Sequence, residues 1–126
     1  MDEIKLKILC ILEENAYKKV QIEAIQRELP GTDLYRHLTY LEQKGLIRIS
    51  KIGPVAGTSE PQMLDAMLTA MGEDIIDTAI KKLEERSIPV AAGKGRLRRI
   101  VESSSYQIMK DVIIPIFRGL IDLDKR

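Results

Sequence analysis

The sequence of 126 residues has one cysteine, one histidine and no long apolar run. A single cysteine excludes an intrachain disulfide and a zinc site built from several cysteines. A single histidine, His37, excludes a metal site that needs two histidines. The longest apolar cluster, residues 112–117, is far shorter than the roughly 20 residues that span a bilayer. The first residues also lack the apolar segment of a signal peptide, so we expect a cytoplasmic protein with no membrane partner.

The sequence also has little that points to catalysis. The sequence shows no paired carboxylates, no nucleophile with its base and no metal-binding cluster. The run Gly93-Lys94-Gly95 lacks the upstream glycine spacing and the following Ser or Thr of a phosphate loop. Cys10 lies among apolar neighbours and His37 on the core side of its helix, so we expect both to be structural. We predict a protein that is not an enzyme and that holds no cofactor or metal.

The charges nearly balance, because the formal net charge is only +1. Their distribution is uneven, since residues 81–126 contain 11 positive and 6 negative side chains. The positive charge is densest at Lys94, Arg96, Arg98 and Arg99. Such a patch can bind phosphate even in a nearly neutral protein. An ordinary solvated face is the alternative interpretation.

Periodicity predicts a mainly helical chain with two short strands. Apolar spacing indicates helices over residues 2–15, 19–28, 33–44, 70–86 and 96–123, the last interrupted or kinked near Pro115. Alternation indicates strands over residues 46–52 and 63–68, and the two Gly and two Pro within residues 53–62 indicate a loop between them. Thr69 is expected to cap the helix that follows. We expect a core that includes Ile8, Ile25, Leu34, Leu38 and Leu41.

The turn Leu29-Pro30-Gly31-Thr32 joins the second and third predicted helices. Pro30 ends the first of these helices, and Thr32 is expected to be the N-cap of the next. Gly45 ends that helix with a left-handed C-cap. The predicted order of elements is helix, turn, helix, strand, loop and strand. This is the order of a helix-turn-helix with a β wing. Nucleic-acid binders use this arrangement to place one helix in a groove.

Two motifs in this region resemble those of winged-helix transcription regulators of the MarR and PadR type. They are Leu38-x-x-Leu41-Glu42-x-x-Gly45-Leu46-Ile47 and Leu68-Thr69-x-x-Gly72. The resemblance covers residues 18–85. It implies that helix 33–44 enters the major groove, that residues 53–62 lie along the minor groove, and that C-terminal helices form a dimer.

The face of helix 33–44 opposite its leucine stripe is the predicted DNA-reading surface. Arg36 and Gln43 point most directly outward, and their side chains suit guanine and adenine respectively. Lys51, at the end of the first strand, suits a phosphate near the wing. The complete set of predicted DNA-binding residues is Thr32, Tyr35, Arg36, Thr39, Tyr40, Gln43 and Lys51. An ordinary solvated helix face is again the alternative.

The last helical segment suggests an interface with a second subunit. Between residues 112 and 121 its apolar residues spread almost all round, and a helix of that kind must be covered. A partner subunit is the economical cover, and packing on the first helix of the same chain is the alternative. The predicted dimer interface consists of Ile108, Val112, Ile116 and Leu120.

These patterns predict a mainly α fold with a small β wing, a winged helix-turn-helix with a C-terminal dimerisation helix. We expect a DNA-binding domain at residues 1–87, a linker at 88–95 and a dimerisation segment at 96–126. The predicted function is a transcription regulator that binds a pseudo-palindromic double-stranded DNA site as a homodimer. A small-molecule effector cannot be identified from these residues. A winged helix that binds protein instead of DNA is the alternative, favoured by a wing loop without Arg or Lys.

Overall fold

The computed structural model describes residues 1–16, 18–53, 57, 61–90 and 93–122. Within these residues the chain is mainly helical, with one small antiparallel sheet. A π-helical segment, Met109–Ile113, joins the last two helices. The elements in chain order are α1 Glu3–Glu14, β1 Val20–Gln21, α2 Ile22–Glu28, α3 Leu34–Gln43, β2 Ile47–Ile52, β3 Gln62–Leu68, α4 Ala70–Glu85, α5 Arg96–Ser103, α6 Tyr106–Ile108 and α7 Ile114–Ile121.

Strand β1 was not predicted, and it replaces the beginning of the expected helix 19–28. Val20 and Gln21 pair with Ala66 and Asp65 of β3, so the sheet has three strands in the order β1-β3-β2. The apolar spacing that predicted the helix lies almost entirely within α2, which begins at Ile22. Two residues are too short a strand for alternation to reveal, and only the pairing with β3 gives them a strand conformation.

The sheet buries one face through alternating side chains. Ile47 and Ile49 of β2 are buried, whereas Arg48 between them is exposed. Ile49 pairs with the buried Ala66 of β3, and Ile47 pairs with Leu68. A register shift follows Ser50, so the pairing is irregular toward the end of the hairpin. The predicted strands are confirmed, and most of the loop between them lies outside the described residues.

The end of α3 is fixed by Gly45, as predicted. Gly45 has a φ of +77°, and its N–H donates to the carbonyl of Glu42 at 2.9 Å. The N–H of Leu46 donates to the carbonyl of Leu41 at 3.1 Å. This pair of bonds is a Schellman motif, which needs a left-handed residue at the position of Gly45. It turns the chain directly from α3 into β2.

Thr69 and Gly72 fasten the start of α4 to this same turn. The Oγ1 of Thr69 accepts from the N–H of Gly72 at 3.0 Å, which confirms the predicted cap. The same hydroxyl donates to the carbonyl of Gly45 at 2.6 Å, and the Thr69 N–H donates to the carbonyl of Leu46 at 3.0 Å. A Cβ added to Gly72 would overlap the Leu46 carbonyl oxygen and lie 2.8 Å from Leu68 Cδ1. Only glycine allows the two segments to approach this closely.

One hydrophobic core extends through the whole described chain. It includes Ile8, Ile25, Leu34, Leu38 and Leu41, as expected. It also includes Leu97 and Ile100 of α5, and Met109, Ile113, Phe117 and Ile121 of the last helical segment. The core is therefore continuous across the linker expected at residues 88–95.

A buried carboxylate joins α5 to α1. Glu13 is only 2% exposed, and its Oε1 accepts from the backbone N–H of Leu97 at 3.1 Å. The N-cap of α5 is Gly95, which has no side chain to cap the helix. Glu13 therefore satisfies an N-terminal donor of α5 from a helix far away in the sequence.

The predicted helix 96–123 is broken at Ser104 and Ser105 and changes to a π-helical segment before Pro115. Ser104 and Ser105 are extended, and Ser105 Oγ accepts from the N–H of Ile108 at 3.1 Å, so α6 begins there. The π-helical segment then precedes Pro115, which occupies the first turn of α7. Proline lacks an N–H and its ring crowds the preceding turn, so a wider turn there is a direct consequence. No helix among the described residues is long and apolar enough to cross a membrane.

The Gly72 contact can be tested by adding one methyl group. Gly72→Ala should lower the free energy of unfolding by about 2–4 kcal/mol, because the backbone of Leu46 must move away. Gly119→Ala is the matched control, since it lies within α7 and a Cβ there meets nothing within 4 Å. The control should be neutral or stabilising by up to about 1 kcal/mol. Urea unfolding of both variants measures the difference, and equal stabilities would contradict the contact.

Candidate nucleic-acid interface

Helix α3 presents two contrasting faces. Leu34, Leu38 and Leu41 are buried in the core, and the Schellman motif holds its C-terminal end. On the opposite face Arg36 and Gln43 are exposed, and the Tyr35 side chain is 44% exposed. Within the described residues Arg36 and Gln43 form no hydrogen bond or ion pair through their side chains. A firmly packed helix thus carries a polar face whose donors are available to another molecule.

Three other residues of the predicted DNA-reading surface are less exposed than Arg36 and Gln43. Thr39 and Tyr40 are half-buried. Thr32 is also half-buried, and its carbonyl accepts from Gln26 Nε2 at 3.2 Å. The expected N-cap role of Thr32 is wrong, because Asp33 occupies the N-cap position and makes no side-chain cap bond. The helix begins one residue later than the sequence indicated.

Tyr40 faces two lysines of its own chain. The Lys5 Nζ lies 4.9 Å from the ring centroid and the Lys44 Nζ lies 5.6 Å from it. Lys44 also forms an ion pair of 3.7 Å with Asp122, next to the end of α7. Both lysines are thus held beside Tyr40 on this side of α3. The C-terminal end of α3 is tied to the last helix through the Lys44–Asp122 pair.

Lys51 is already engaged by a neighbouring carboxylate. Its Nζ donates to Glu42 Oε1 at 2.8 Å, which links β2 to α3. Because the Lys51 side chain is partly exposed, the pair lies at the surface and contributes little stability. A phosphate that approached Lys51 would have to share it with Glu42. The sequence had no means of revealing this pair, because the two residues lie nine positions apart on different elements.

Two apolar side chains are exposed near the described end of the hairpin, where Lys51 and Gln62 are exposed as well. The Ile52 side chain is 52% exposed and Leu64 is also exposed. Within the predicted wing loop, residues 54–56 and 58–60 lie outside the described residues.

Two cations of the basic run Lys94, Arg96, Arg98 and Arg99 pair with acidic side chains. Arg96 pairs with Glu73 at 3.3 Å and with Asp77, and its Nε lies 4.0 Å from Glu13 Oε2. Arg98 pairs with Glu14 at 2.7 Å and with Glu28 at 3.0 Å. Burial alone would lower the pKa of Arg98, but these two carboxylates raise it. Arg96 and Arg98 therefore fasten α5 to α1, α2 and α4, whereas Lys94 and Arg99 are exposed.

His37 forms a polar cluster with the start of α1. Lys5 Nζ lies 3.0 Å from His37 Nδ1 and 2.9 Å from Asp2 Oδ2. Because the lysine can only donate, His37 Nδ1 accepts and the imidazole is neutral in this arrangement. Burial, then the charge of Lys5, lowers the pKa of His37 from its ordinary value of 6.5. The expectation of a partly buried structural histidine is confirmed.

Cys10 is buried in the core, as expected. Burial is the main reason that the pKa of its thiol is raised to about 12; the charge of Arg98 opposes this rise, and Glu13, Glu102 and Glu14 add to it. A thiol with such a pKa is protonated at neutral pH and unreactive.

The predicted dimer residues form one stripe on the last helical segment. The Ile108 side chain is 37% exposed, and Val112, Ile116 and Leu120 are half-buried. The other side of the segment is buried within the same chain through Met109, Ile113, Ile114, Phe117 and Ile121, and α7 packs against α4. Packing within the same chain therefore covers part of the last helical segment, and the helix that covers it is α4 more than α1. An apolar stripe remains at the surface.

Comparisons with known proteins add no further assignment. No protein-family model, curated protein or solved structure matches this chain. No group of three or more His, Cys, Asp and Glu side chains within the described ranges could hold a metal ion.

The neutral state of His37 can be tested by titration. As the only histidine, His37 has one Cε1–H NMR signal, which should titrate with a midpoint below pH 6.5. Because the unfolded chain then binds more protons, the free energy of unfolding should fall as the pH is lowered from about 6.5 through the native pKa. His37→Gln should lose this part of the pH dependence. A midpoint at or above 6.5 would contradict the Lys5–His37 contact.

Proposed function

We propose that this protein is a winged-helix transcription regulator that binds double-stranded DNA with α3 in the major groove. The observation that carries the proposal is the exposed polar face of α3, on which Arg36 and Gln43 form no hydrogen bond or ion pair within the described chain. The order of elements, in which two short helices are followed by a hairpin, is the order found in winged helices. The proposal makes β2 and β3 the wing.

The electrostatics of α3 favour a ligand with acceptor groups. The guanidinium of Arg36 offers paired N–H donors that match O6 and N7 of guanine, and the amide of Gln43 can pair with adenine. Tyr35 offers a hydroxyl to a phosphate. Arg96, Arg98 and Lys51 are occupied by carboxylates, whereas Arg36 has no such partner among the described residues. Arg36 is thus a charge that the fold itself does not use.

The rigidity of α3 supports a reading role. Base contacts need side chains held in place, since a loose helix loses discrimination between bases. The buried Leu34, Leu38 and Leu41 anchor α3 in the core, and the turn at its C-terminal end is hydrogen-bonded to Thr69. The ion pair between Lys51 and Glu42 adds a link to β2. Helix α3 and the hairpin would therefore approach DNA as one unit.

A homodimer is part of this proposal. The stripe of Ile108, Val112, Ile116 and Leu120 is apolar and incompletely covered by its own chain. A second copy of the same stripe would cover it through a two-fold, self-complementary contact. Two-fold symmetry would place the two α3 helices in major grooves about 34 Å apart and require a pseudo-palindromic site.

Binding to another protein is the second candidate function. The exposed Ile52 and Leu64 at the hairpin support it, since apolar tips suit a protein surface better than a phosphate backbone. The engagement of Lys51 by Glu42 points the same way. Both features concern the hairpin, whereas the unpaired donors of α3 favour DNA.

Selection from a random double-stranded DNA library tests the first candidate. The full chain should enrich a two-fold symmetric sequence at physiological salt. Arg36→Ala should weaken binding to the selected site by about 1–3 kcal/mol and relax the preference at one base position per half-site. Lys110→Ala removes an exposed cation from the last helical segment and should leave the profile unchanged. A chain that enriches no sequence would favour the protein-binding alternative.

Light scattering on the full chain tests the dimer. Ile108→Glu should convert a dimer to a monomer, because a buried carboxylate at the two-fold contact is strongly unfavourable. Ile108 is the most exposed member of the stripe, so the substitution should leave the free energy of unfolding of the monomer within about 0.5 kcal/mol. Gln107→Glu adds the same charge one residue away and should retain the dimer. A monomeric unmodified chain would refute the interface.

A further inference from the structure

Lys5 joins the start of α1 to α3 through three close neighbours. Its Nζ donates to Asp2 Oδ2 at 2.9 Å, lies 3.0 Å from His37 Nδ1, and lies 4.9 Å from the centroid of the Tyr40 ring. The side chains of Lys5 and His37 are only 14% and 15% exposed, so neighbouring residues confine them. Because a lysine can only donate, His37 Nδ1 must carry no proton while Lys5 lies against it. Lys5 and a proton therefore compete for the same nitrogen.

Asp2 can accept from either the lysine or a protonated imidazole. Its Oδ2 accepts from Lys5 Nζ at 2.9 Å and lies 3.7 Å from His37 Nδ1. If His37 were protonated, its Nδ1–H could take the place of Lys5 at this oxygen after a small movement, and the ammonium group would be released. Asp2 Oδ1 accepts from the backbone N–H of Lys5 at 2.9 Å and caps α1, and this bond does not depend on the lysine side chain. The exchange therefore leaves the start of α1 intact.

Further charges lie on the same flank of α3. Arg36 and Asp33 act on His37 in opposite directions, because Arg36 disfavours a proton there and Asp33 favours one. Lys44 pairs with Asp122, at the end of α7, at 3.7 Å. Lys44 is thus engaged by a carboxylate of another helix, and the exchange at Asp2 would not release it.

The released Lys5 would lie beside the predicted DNA-reading surface of α3. Tyr40 belongs to that surface and is one helical turn from the exposed Arg36. A lysine beside Tyr40 offers a phosphate a compact cation on a flexible side chain. Nearby phosphates would also favour a proton on His37, since an opposite charge stabilises the charged form. In the free protein burial, then Lys5, lowers the pKa of His37, so the neutral ring predominates near neutral pH.

We propose that His37 makes DNA binding sensitive to pH: a proton on the imidazole replaces Lys5 at Asp2, and Lys5 then binds a DNA phosphate. The inference rests on the proposed binding of DNA by α3. Because the complex holds this proton more tightly than the free protein does, acid strengthens binding to DNA. The sign is opposite to that for folding, since acid lowers the free energy of unfolding.

NMR titration of the full chain with ¹³C-labelled histidine tests the inference without any substitution. The Cε1–H signal of His37 is followed from about pH 5 to about pH 8, with and without the DNA site obtained by selection. The midpoint should be higher in the complex than in the free chain. A rise of about one pH unit corresponds to a Kd that is about tenfold lower at acid than at neutral pH. Fluorescence anisotropy measures this Kd over the same range.

Substitution of Lys5 tests the competition directly. Lys5→Met removes the ammonium group but keeps an apolar side chain, so the midpoint of His37 in the free chain should rise. At about pH 5 the slope of log affinity against log salt concentration should fall by about one, because one phosphate contact is lost. Lys7→Met is the matched control, since Lys7 lies on the same helix and pairs with Glu3 at 2.9 Å. It should leave the midpoint of His37 and the pH dependence of Kd unchanged.

Substitution of His37 tests the proton itself. His37→Gln keeps an acceptor for Lys5 but cannot take up a proton, so the strengthening of DNA binding by acid should disappear. An equal midpoint of His37 in the free and DNA-bound unmodified chain would overturn the inference, and so would an unchanged midpoint in free Lys5→Met. Both outcomes would leave the proposed DNA binding standing. A selection that enriches no DNA sequence would overturn this inference and the proposed function together.

Discussion

The backbone contact between Leu46 and Gly72 is the constraint on which the arrangement of α3, β2 and α4 depends. It allows the Leu46 carbonyl to accept from Thr69 while the hydroxyl of Thr69 bonds to Gly45. The end of α3 and the start of α4 are therefore one hydrogen-bonded unit. The leucine stripe then fixes the rotation of α3 about its axis, so Arg36 and Gln43 point away from the core. The orientation of the candidate surface on α3 therefore depends on Gly72, which is not itself part of that surface.

Ion pairs complete the framework around this unit. Arg96 draws together carboxylates of α1 and α4, and Arg98 those of α1 and α2, so α5 is held by charge as well as by Leu97 and Ile100. Buried and partly buried pairs of this kind contribute more to a defined arrangement than to stability. They also engage two of the four cations in the basic run at residues 94–99, Arg96 and Arg98. In this protein a cation is available to a ligand only if no carboxylate of the chain pairs with it. The number of basic residues in a segment therefore does not identify a binding surface.

Local signals in the sequence were sufficient for most of the fold. The spacing of Leu34, Leu38 and Leu41 predicted α3 and its outward face, and Gly45 and Thr69 predicted their caps, because each of these signals acts within a few residues. Features that depend on distant partners were not predictable. They include the pairing of β1 with β3, the cap that Glu13 supplies to α5, and the engagement of Lys51 by Glu42. The extent of the core was missed for the same reason, because periodicity identifies a buried face but not what covers it.

The position of Glu13 has a consequence for biosynthesis. Helix α1 leaves the ribosome well before α5, because the helix that its buried carboxylate caps begins 83 residues after Glu13, at Arg96. Until that part of the chain is made, the charge of Glu13 must remain hydrated, and the side of α1 that α5 covers stays open. Contacts between such distant residues form late and slow folding. Assembly of the native core thus waits for α5 and the helical segment that follows it, and a nascent chain stalled before α5 would expose apolar surface to chaperones and proteases.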